Sequence, residues 1–174
     1  ATKAAALAVI TDDTVESLYG AAVVSALRNA GFRVEIFVFP HGEASKCAET
    51  LLQVYDFLCE KQFTRTDAIV ALGGGVVGDL AGFAAATYLR GMDFIQIPTT
   101  LLAQVDSSVG GKTAIDLKGG KNLVGAFKQP VCVLCDPDTL RTLPNATFSD
   151  GMGEVVKYGM IRDAKLFELL AAHN

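Results

Sequence analysis

The sequence predicts an α/β protein: a mostly parallel sheet with flanking helices, entering a helical segment at its C-terminal end. Three observations carry this. Short, strand-like apolar runs alternate with stripes of helical period along most of the chain. Strands separated by helices require crossovers, which are right-handed and give parallel pairing. And 174 residues that are 51% apolar can bury a core, which a disordered chain cannot. A formal charge of −4 with scattered Lys and Arg provides no basic face for nucleic acid. No run reaches the ~20 apolar residues of a membrane span.

Ala4–Ile10 reads as a buried strand. Asp13, with Glu16 three residues on, has the form of a capping box, and Val15, Leu18, Ala22, Val23, Ala26 and Ala30 make a helical stripe closed by Gly31. Val34–Phe39 is a second strand, ended by Pro40. A polar turn, residues 41–45, leads to a helix with Ala48, Leu51, Leu52, Tyr55, Leu58 and Cys59 on one face. Ala68–Leu72 is a third strand running into three glycines, followed by a short helix over Val77–Tyr88 whose contact face is small: Ala81, Gly82, Ala84 and Ala85. Phe94–Ile97 and Val131–Cys135 complete the strands, with a weakly periodic Gly-, Ser- and Lys-rich stretch, residues 106–125, between them. From Thr147 the pattern is helical, giving an expected α/β domain over residues 1–146 and the first helical segment of a second domain over 147–174. The opening Ala1-Thr2-Lys3 has no signal-peptide features, the last helix lacks a stop, and both ends read as cuts in a longer chain. Four cysteines are too few for a disulfide scaffold and suit a reduced, cytoplasmic protein. Cys132 and Cys135 are expected to be buried in a strand, facing opposite ways, which disfavours a shared metal.

Gly73, Gly75 and Gly78 satisfy G-x-G-x-x-G directly after a strand. Such glycines let backbone N–H groups approach a pyrophosphate at a helix start. The motif follows two βα units, and the acid about 20 residues on, Asp93, precedes a strand, so a standard Rossmann reading and a bare tight turn both stand. The run from Asp106 to Thr113 lacks the first glycine of a P-loop and is not one. Lys112 beside Gly110-Gly111 and Lys121 beside Gly119-Gly120 suit an anionic, phosphate-bearing ligand, or are solvated loop lysines. Gly151 and Gly153 in a helical pattern cost about 2 kcal/mol relative to alanine, which implies that something passes close to the backbone. Glu154 and Lys157 share a helix face at i,i+3 and form at least a surface ion pair. Neither His41 nor His173 is spaced to join Glu154 in a metal site.

Together these segments resemble the 3-dehydroquinate synthase family. The shared text runs from Ala71 to Phe83, through Arg90-Gly91, Ile97 to Ala114, Gly120 to Phe127 and Leu143-Pro144, to Gly153–Gly159. The Pro-Thr-Thr-Leu to Gly-Gly-Lys block is the most specific part, and weaker similarity reaches Ile10-Thr-Asp12 and Gly42-Glu43 to Lys46. The resemblance implies a Rossmann-like NAD domain and a homodimer. It implies conversion of 3-deoxy-D-arabino-heptulosonate 7-phosphate to 3-dehydroquinate and phosphate, with NAD recycled and a divalent metal, zinc or cobalt, as Lewis acid. By position, Asp12, Glu43 and Lys46 match the adenosine side of NAD. Gly74, Gly75, Val76, Val77, Gly78 and Asp79 match the pyrophosphate loop and its neighbours. Thr99, Thr100 and Leu102, then Thr139, Leu140, Arg141 and Thr142, match further cofactor contacts. Lys112, Lys121 and Asn122 match groups near substrate phosphate and cofactor. Asp106 and Lys157 match substrate-hydroxyl contacts, Arg90 a residue reaching the partner subunit's substrate, and Glu154 the metal carboxylate.

Thr14 departs from the family's asparagine, and the family's metal histidines have no counterpart within these 174 residues. The expectation is therefore a fragment that binds NAD more weakly than the whole enzyme and does not turn over. The other readings are a related sugar-phosphate cyclase, an NAD- and metal-dependent polyol dehydrogenase, and a nucleotide-binding module without catalysis.

Overall fold

A computed structural model describes residues 4–172. Ala1–Lys3, His173 and the last position of the expected C-terminal helix, Asn174, lie outside the described residues. In chain order, β1 (Ala6–Asp12) leads into α1 (Asp13–Val15), a π-helical turn (Glu16–Gly20) and α2 (Ala21–Asn29). Then follow β2 (Arg33–Phe39), α3 (Ala48–Glu60), β3 (Ala68–Gly73), α4 (Gly75–Thr87) and β4 (Asp93–Pro98). After a π-helical turn (Ala103–Ser107) come β5 (Lys112–Leu117), β6 (Gly120–Phe127), β7 (Cys132–Val133), α5 (Asn145–Ile161) and α6 (Ala164–Ala172). β2, β1, β3, β4 and β7 form one sheet in that order, every pair parallel. β5 and β6 form a separate antiparallel hairpin.

The period-2 alternation of strands divides the core into two layers. Ala6, Ala8, Ile10, Ile69, Ala71 and Phe94 face α3 and α4, where Leu51, Val54, Leu58, Val77 and Leu80 close over them. Leu7, Val9, Val70 and Leu72 face the other way, onto Val15, Val24 and the partly buried Tyr19, Val23 and Leu27. The central strands are covered on both faces, which is why β1 and β3 read as continuous apolar runs. Asp67 fastens the N-terminal edge: its carboxylate accepts from the Ala6 amide at 3.0 Å, the Thr64 amide at 2.8 Å and the Thr64 hydroxyl at 2.8 Å.

Several expectations are corrected. The helix after β1 is capped by Asp12, whose Oδ1 accepts from the Val15 amide at 2.8 Å, whereas Asp13 accepts from the His41 amide and ring. Of the expected stripe only Val15 and Val23 face the core: Leu18, Ala22, Ala26 and Ala30 are exposed, and Tyr19, Val24 and Leu27 take their place. A π turn adds one residue to the helical period, so every later position is rotated by one. On α3, Leu52 and Cys59 point to solvent, and Thr50 and Val54 are buried in their place. The stretch after residue 106 is not a loop but the hairpin of β5 and β6. The last sheet strand shrinks to Cys132–Val133, and Cys132 and Cys135 are both exposed, because nothing among the described residues covers that edge.

Candidate functional site

β3 ends at Gly73 and α4 begins two residues later, with Gly74 as an N-cap that offers no side chain. The Gly78 amide bonds the Gly74 carbonyl at 3.0 Å, which leaves the amides of Gly75, Val76 and Val77 without helical partners. A side chain would narrow this mouth: a Cβ at Gly74 would lie 3.1 Å from Thr100 Cγ2, and one at Gly75 would lie 3.2 Å from Ser107 Oγ. An uncapped helix start, with its positive dipole end, stands at the C-terminal ends of parallel strands, where ligands of open α/β sheets bind.

The end of β4 supplies the adjoining wall. Thr99 is buried and its amide bonds the Gly73 carbonyl at 3.0 Å, while Thr100 Oγ1 accepts from the Ala103 amide; Leu102 is exposed. Gln104 ties this wall to residues 136–142, donating from Nε2 to the carbonyls of Pro98 and Asp136 and to Thr139 Oγ1. Tyr19 Oη holds the same turn through the Thr139 carbonyl and Thr142 Oγ1. Thr139 is buried there and Leu140 half-buried, whereas Arg141 is exposed and pairs with Asp138. Asp12, the N-cap described above, stands at the end of the neighbouring strand.

Lys46 is the most unusual side chain of the site. It is 4% exposed, yet its Nζ bonds Asn122 Oδ1 at 2.7 Å, Glu43 Oε1 at 3.0 Å and Asp79 Oδ2 at 3.3 Å, with Asp116 Oδ1 at 3.6 Å. A buried ammonium persists only when so paired. Burial draws Lys46 downward, but the hydrogen bond to Glu43 and the charges of Asp79 and Glu43 outweigh it and hold its pKa above the ordinary value. For Asp79 burial wins over the attraction of Lys46, and its pKa is raised. Lys121 joins from the surface, 3.2 Å from Glu43 Oε1.

Beside this cluster opens a cleft of about 500 Å³ lined by Asp79, Asp106, Ser107, Lys112, Asn122 and Phe127 among others. Asp106 comes from the π turn after β4, Lys112 from the start of β5, and Asn122 from β6. The hairpin is what brings these distant residues together, and it does so by lying on α4: Thr113 of β5 and Phe94 of β4 meet the backbone of Gly82. Lys112 is exposed at the rim.

α5 closes a further side. Tyr158 Oη donates to the Val105 carbonyl at 3.0 Å, and a Cβ at Gly151 would lie 2.7 Å from Leu101 Cβ, so the close approach expected of this glycine is real. Gly153 departs from that expectation, being exposed with nothing within 4 Å of a Cβ. Lys157 pairs with Glu154; this hydrogen bond, with some help from the Asp106 charge, raises its pKa. Among the described residues no group of three His, Cys, Asp or Glu is arranged to hold a metal. Arg90 is not brought to the cleft. It does not line the cleft but sits on an exposed turn just past the C-terminal end of α4. There Leu89 and Arg90 both adopt positive φ, 50° and 66°.

Residue-type reasoning missed Asp116, Ser107 and Thr113. The signal was present: Thr113-Ala-Ile-Asp-Leu117 contains β-forming Thr and Ile, and Lys118-Gly119 turns it into a second extended run, which is a hairpin pattern.

A parallel sheet with an uncapped glycine turn at its C-terminal edge and a hairpin-walled polar cleft defines a Rossmann-like unit with a polar ligand cleft. The family model for the N-terminal region of 3-dehydroquinate synthase matches residues 36–150, and the chain belongs to that family. It is 58% identical over 164 residues to the 3-dehydroquinate synthase of Streptococcus suis strain 05ZYH33, an alignment covering 94% of this chain and 46% of that protein. It is 55% identical over 166 residues to the enzyme of Enterococcus faecalis strain OG1RF, covering 95% and 46%. The chain thus spans about half the length of the curated relatives it matches. Among solved structures it is similar to the 2-epi-5-epi-valiolone synthase of Streptomyces hygroscopicus subsp. jinggangensis with NAD+ and Zn2+ bound (TM-score 0.91, 32% identity, 98% of this chain and 48% of that one). It is also similar to a 2-deoxy-scyllo-inosose synthase complexed with carbaglucose-6-phosphate, NAD+ and Co2+ (TM-score 0.87, 33% identity, 91% and 44%). A glycerol dehydrogenase of Schizosaccharomyces pombe shares the fold (TM-score 0.70, 21% identity, 89% and 37%).

Proposed function

We propose that this chain is the NAD-binding half of a 3-dehydroquinate synthase. The whole enzyme converts 3-deoxy-D-arabino-heptulosonate 7-phosphate to 3-dehydroquinate and phosphate in the shikimate pathway. The observation that carries this reading is the convergence of the uncapped start of α4 with a cleft holding Asp106, Lys112 and Asn122. The α/β part is the cofactor domain, and the helices α5 and α6, which start at Asn145 and not at the expected Thr147, belong to a second one. The protein works in the cytoplasm as a homodimer, in which Arg90 serves the partner's site.

The residues present fit a dinucleotide. The free amides of Gly75, Val76 and Val77 suit a diphosphate, and the glycines keep its approach open. Glu43, held in place by the buried Lys46, together with Asp12 and the turn 139–142, suits the polar remainder of the cofactor. When bound, NAD would supply reversible hydride transfer with the carbon that bears a substrate hydroxyl, the hydroxyl proton leaving separately, so that return of the hydride would leave no net reduction. Lys112 supplies positive charge at the cleft rim for the departing phosphate, and the Asn122 side chain offers a hydrogen bond beside it. Asp106 and Lys157 orient substrate hydroxyls, with Lys157 kept protonated by Glu154. The residues do not fit a metal by themselves. Glu154 is one carboxylate already paired with Lys157, and such sites need three or four fixed ligands.

The test uses a polypeptide of the relatives' full length. Release of phosphate from the heptulosonate phosphate with no net NADH is the expected result. Net NADH formation from a polyol would assign a dehydrogenase, and a carbocycle formed only from another sugar phosphate would assign a different cyclase. The 174-residue chain is expected to bind NAD in a calorimetric titration, more weakly than the full-length protein, without turnover. Turnover by it would overturn the reading of the chain as a half enzyme.

A further inference from the structure

Asp116 takes no part in the roles given above, yet three features converge on it. It lies where the β5–β6 pairing shifts register, between Ile115 and Leu117, and such irregularities re-aim a side chain. Its Oδ1 accepts the backbone N–H of Asn122 at 2.8 Å, six residues on and across the hairpin turn. The same oxygen lies 3.6 Å from Lys46 Nζ, with the Asp116 side chain 18% exposed.

Asn122 holds a left-handed backbone conformation, φ 56°, which asparagine tolerates but does not prefer. The bond from its amide to Asp116 fixes that conformation. Lys46 then takes Asn122 Oδ1 at 2.7 Å. An ammonium needs an acceptor, so the carboxamide oxygen is committed inward, and its Nδ2 hydrogens are the groups left for the cleft that Asn122 lines. One carboxylate thus sets both the backbone and, through Lys46, the orientation of the side chain.

We propose that Asp116 is a positioning residue. It holds Asn122 and Lys46 so that the Asn122 amide presents its N–H donors to an acceptor oxygen of the cleft's ligand, a sugar-acid phosphate bound beside the dinucleotide. The proposal rests on the functional reading above for the ligand, and on the hairpin geometry alone for the effect on Asn122.

The experiment uses the full-length protein with Asp116→Ala, Asp116→Asn, Asn122→Ala and the double variant Asp116→Ala/Asn122→Ala. It reads kcat/KM on the heptulosonate phosphate together with hydrogen exchange at the Asn122 amide. Misplacing a ligand-contacting group by about 1 Å costs up to ~100-fold, so Asp116→Ala and Asn122→Ala should each lose about 10–100-fold. The losses should not add: in the Asn122→Ala background, Asp116→Ala should cost less than about threefold. The Asn122 amide should exchange at least about tenfold faster in Asp116→Ala than in the wild type, the expected consequence of an unmade hydrogen bond. Asp116→Asn keeps an acceptor oxygen, so at least about a third of wild-type kcat/KM and a protected amide are expected. That variant keeps the test decisive should Asp116→Ala not fold. Additive losses, a wild-type kcat/KM in Asp116→Ala, or a loss in Asp116→Asn as large as that of Asn122→Ala would each overturn the proposal. A wild-type protein inactive on the heptulosonate phosphate would defeat the functional reading instead. The exchange comparison and the same cycle read in NAD affinity would still decide whether Asp116 positions Asn122.

Discussion

Gly82 is the point on which the cleft is mounted, and replacing it with alanine puts two opposed effects in competition. In a helix interior alanine is favoured over glycine by about 1 kcal/mol, so on propensity alone Gly82→Ala stabilises. Packing says the reverse. The new methyl would lie 2.4 Å from Thr113 Cγ2 and 3.0 Å and 3.1 Å from two ring carbons of the fully buried Phe94. Carbon atoms rest at about 3.5–4.0 Å, so the overlap with Thr113 exceeds an ångström. Thr113 cannot turn away freely, because its hydroxyl donates to the Ala126 carbonyl at 2.7 Å across the hairpin. Giving up that bond costs about 1 kcal/mol, and overpacking costs about 1–3 kcal/mol. The net is a destabilisation of about 1–3 kcal/mol, or a Tm lower by about 2–12 °C for a chain of this size. Thermal melts followed by circular dichroism read this directly. Gly82→Ala/Thr113→Ser, which removes the clashing methyl, should recover part of the loss, with a coupling of at least about 0.5 kcal/mol. A Gly82→Ala protein that melts at or above the wild type would refute the packing of α4 against β5. The hairpin would then be looser than described, and the placement of Lys112 and Asn122 with it.

Three further outcomes follow from the charges. Lys46→Met should cost about 2–3 kcal/mol in urea unfolding, below the 3–5 kcal/mol of a fully buried broken pair because Glu43 is 39% exposed. Since folding raises the Lys46 pKa, its contribution is whole below 10.5 and is lost as pH rises through the higher folded value, so the gap between wild type and Lys46→Met should narrow in strong alkali; a gap that widens there would contradict the pairing. At Asp67, burial pushes the pKa up, but hydrogen bonds from Thr64 and Ala6 outweigh it and leave it lowered. That stabilisation is present above pH 3.8 and is lost as pH falls through the depressed value; Asp67→Asn should therefore be less stable by about 1–3 kcal/mol at pH 7 and converge on the wild type in acid titrations below pH 3.8. Asp79→Asn removes a carboxylate that burial disfavours but takes a charge from Lys46, so it should change stability by under about 1 kcal/mol while weakening NAD binding in calorimetry; unchanged affinity would remove Asp79 from the site.

The alternation of apolar runs with helical stripes was enough to specify five parallel strands and the glycine turn at the end of the third, because both depend on neighbours in sequence: a two-residue pleat, a residue without Cβ, a helix start. Periodicity failed where one inserted residue changed its phase, as at the π turn 16–20, which no local composition announces. It also failed at Cys132 and Cys135, since whether a strand is covered depends on what packs against it.

The cleft itself belongs to the second kind. Composition marked Lys46, Asp79 and Asn122 as polar residues in three separate stretches, and resemblance grouped them, but the meeting of Asp79 and Asn122 at 3.3 Å and 2.7 Å from one buried ammonium is set by the hairpin resting on α4. Side-chain identity is written in the chain and travels with it. Distance between residues 33 or 76 apart is not, because it comes from the packing of whole elements. That is why the sequence by itself determined the kind of sheet and the place of its glycine turn, while the tertiary structure alone decided that Lys46 is buried and that Asp116 stands behind Asn122.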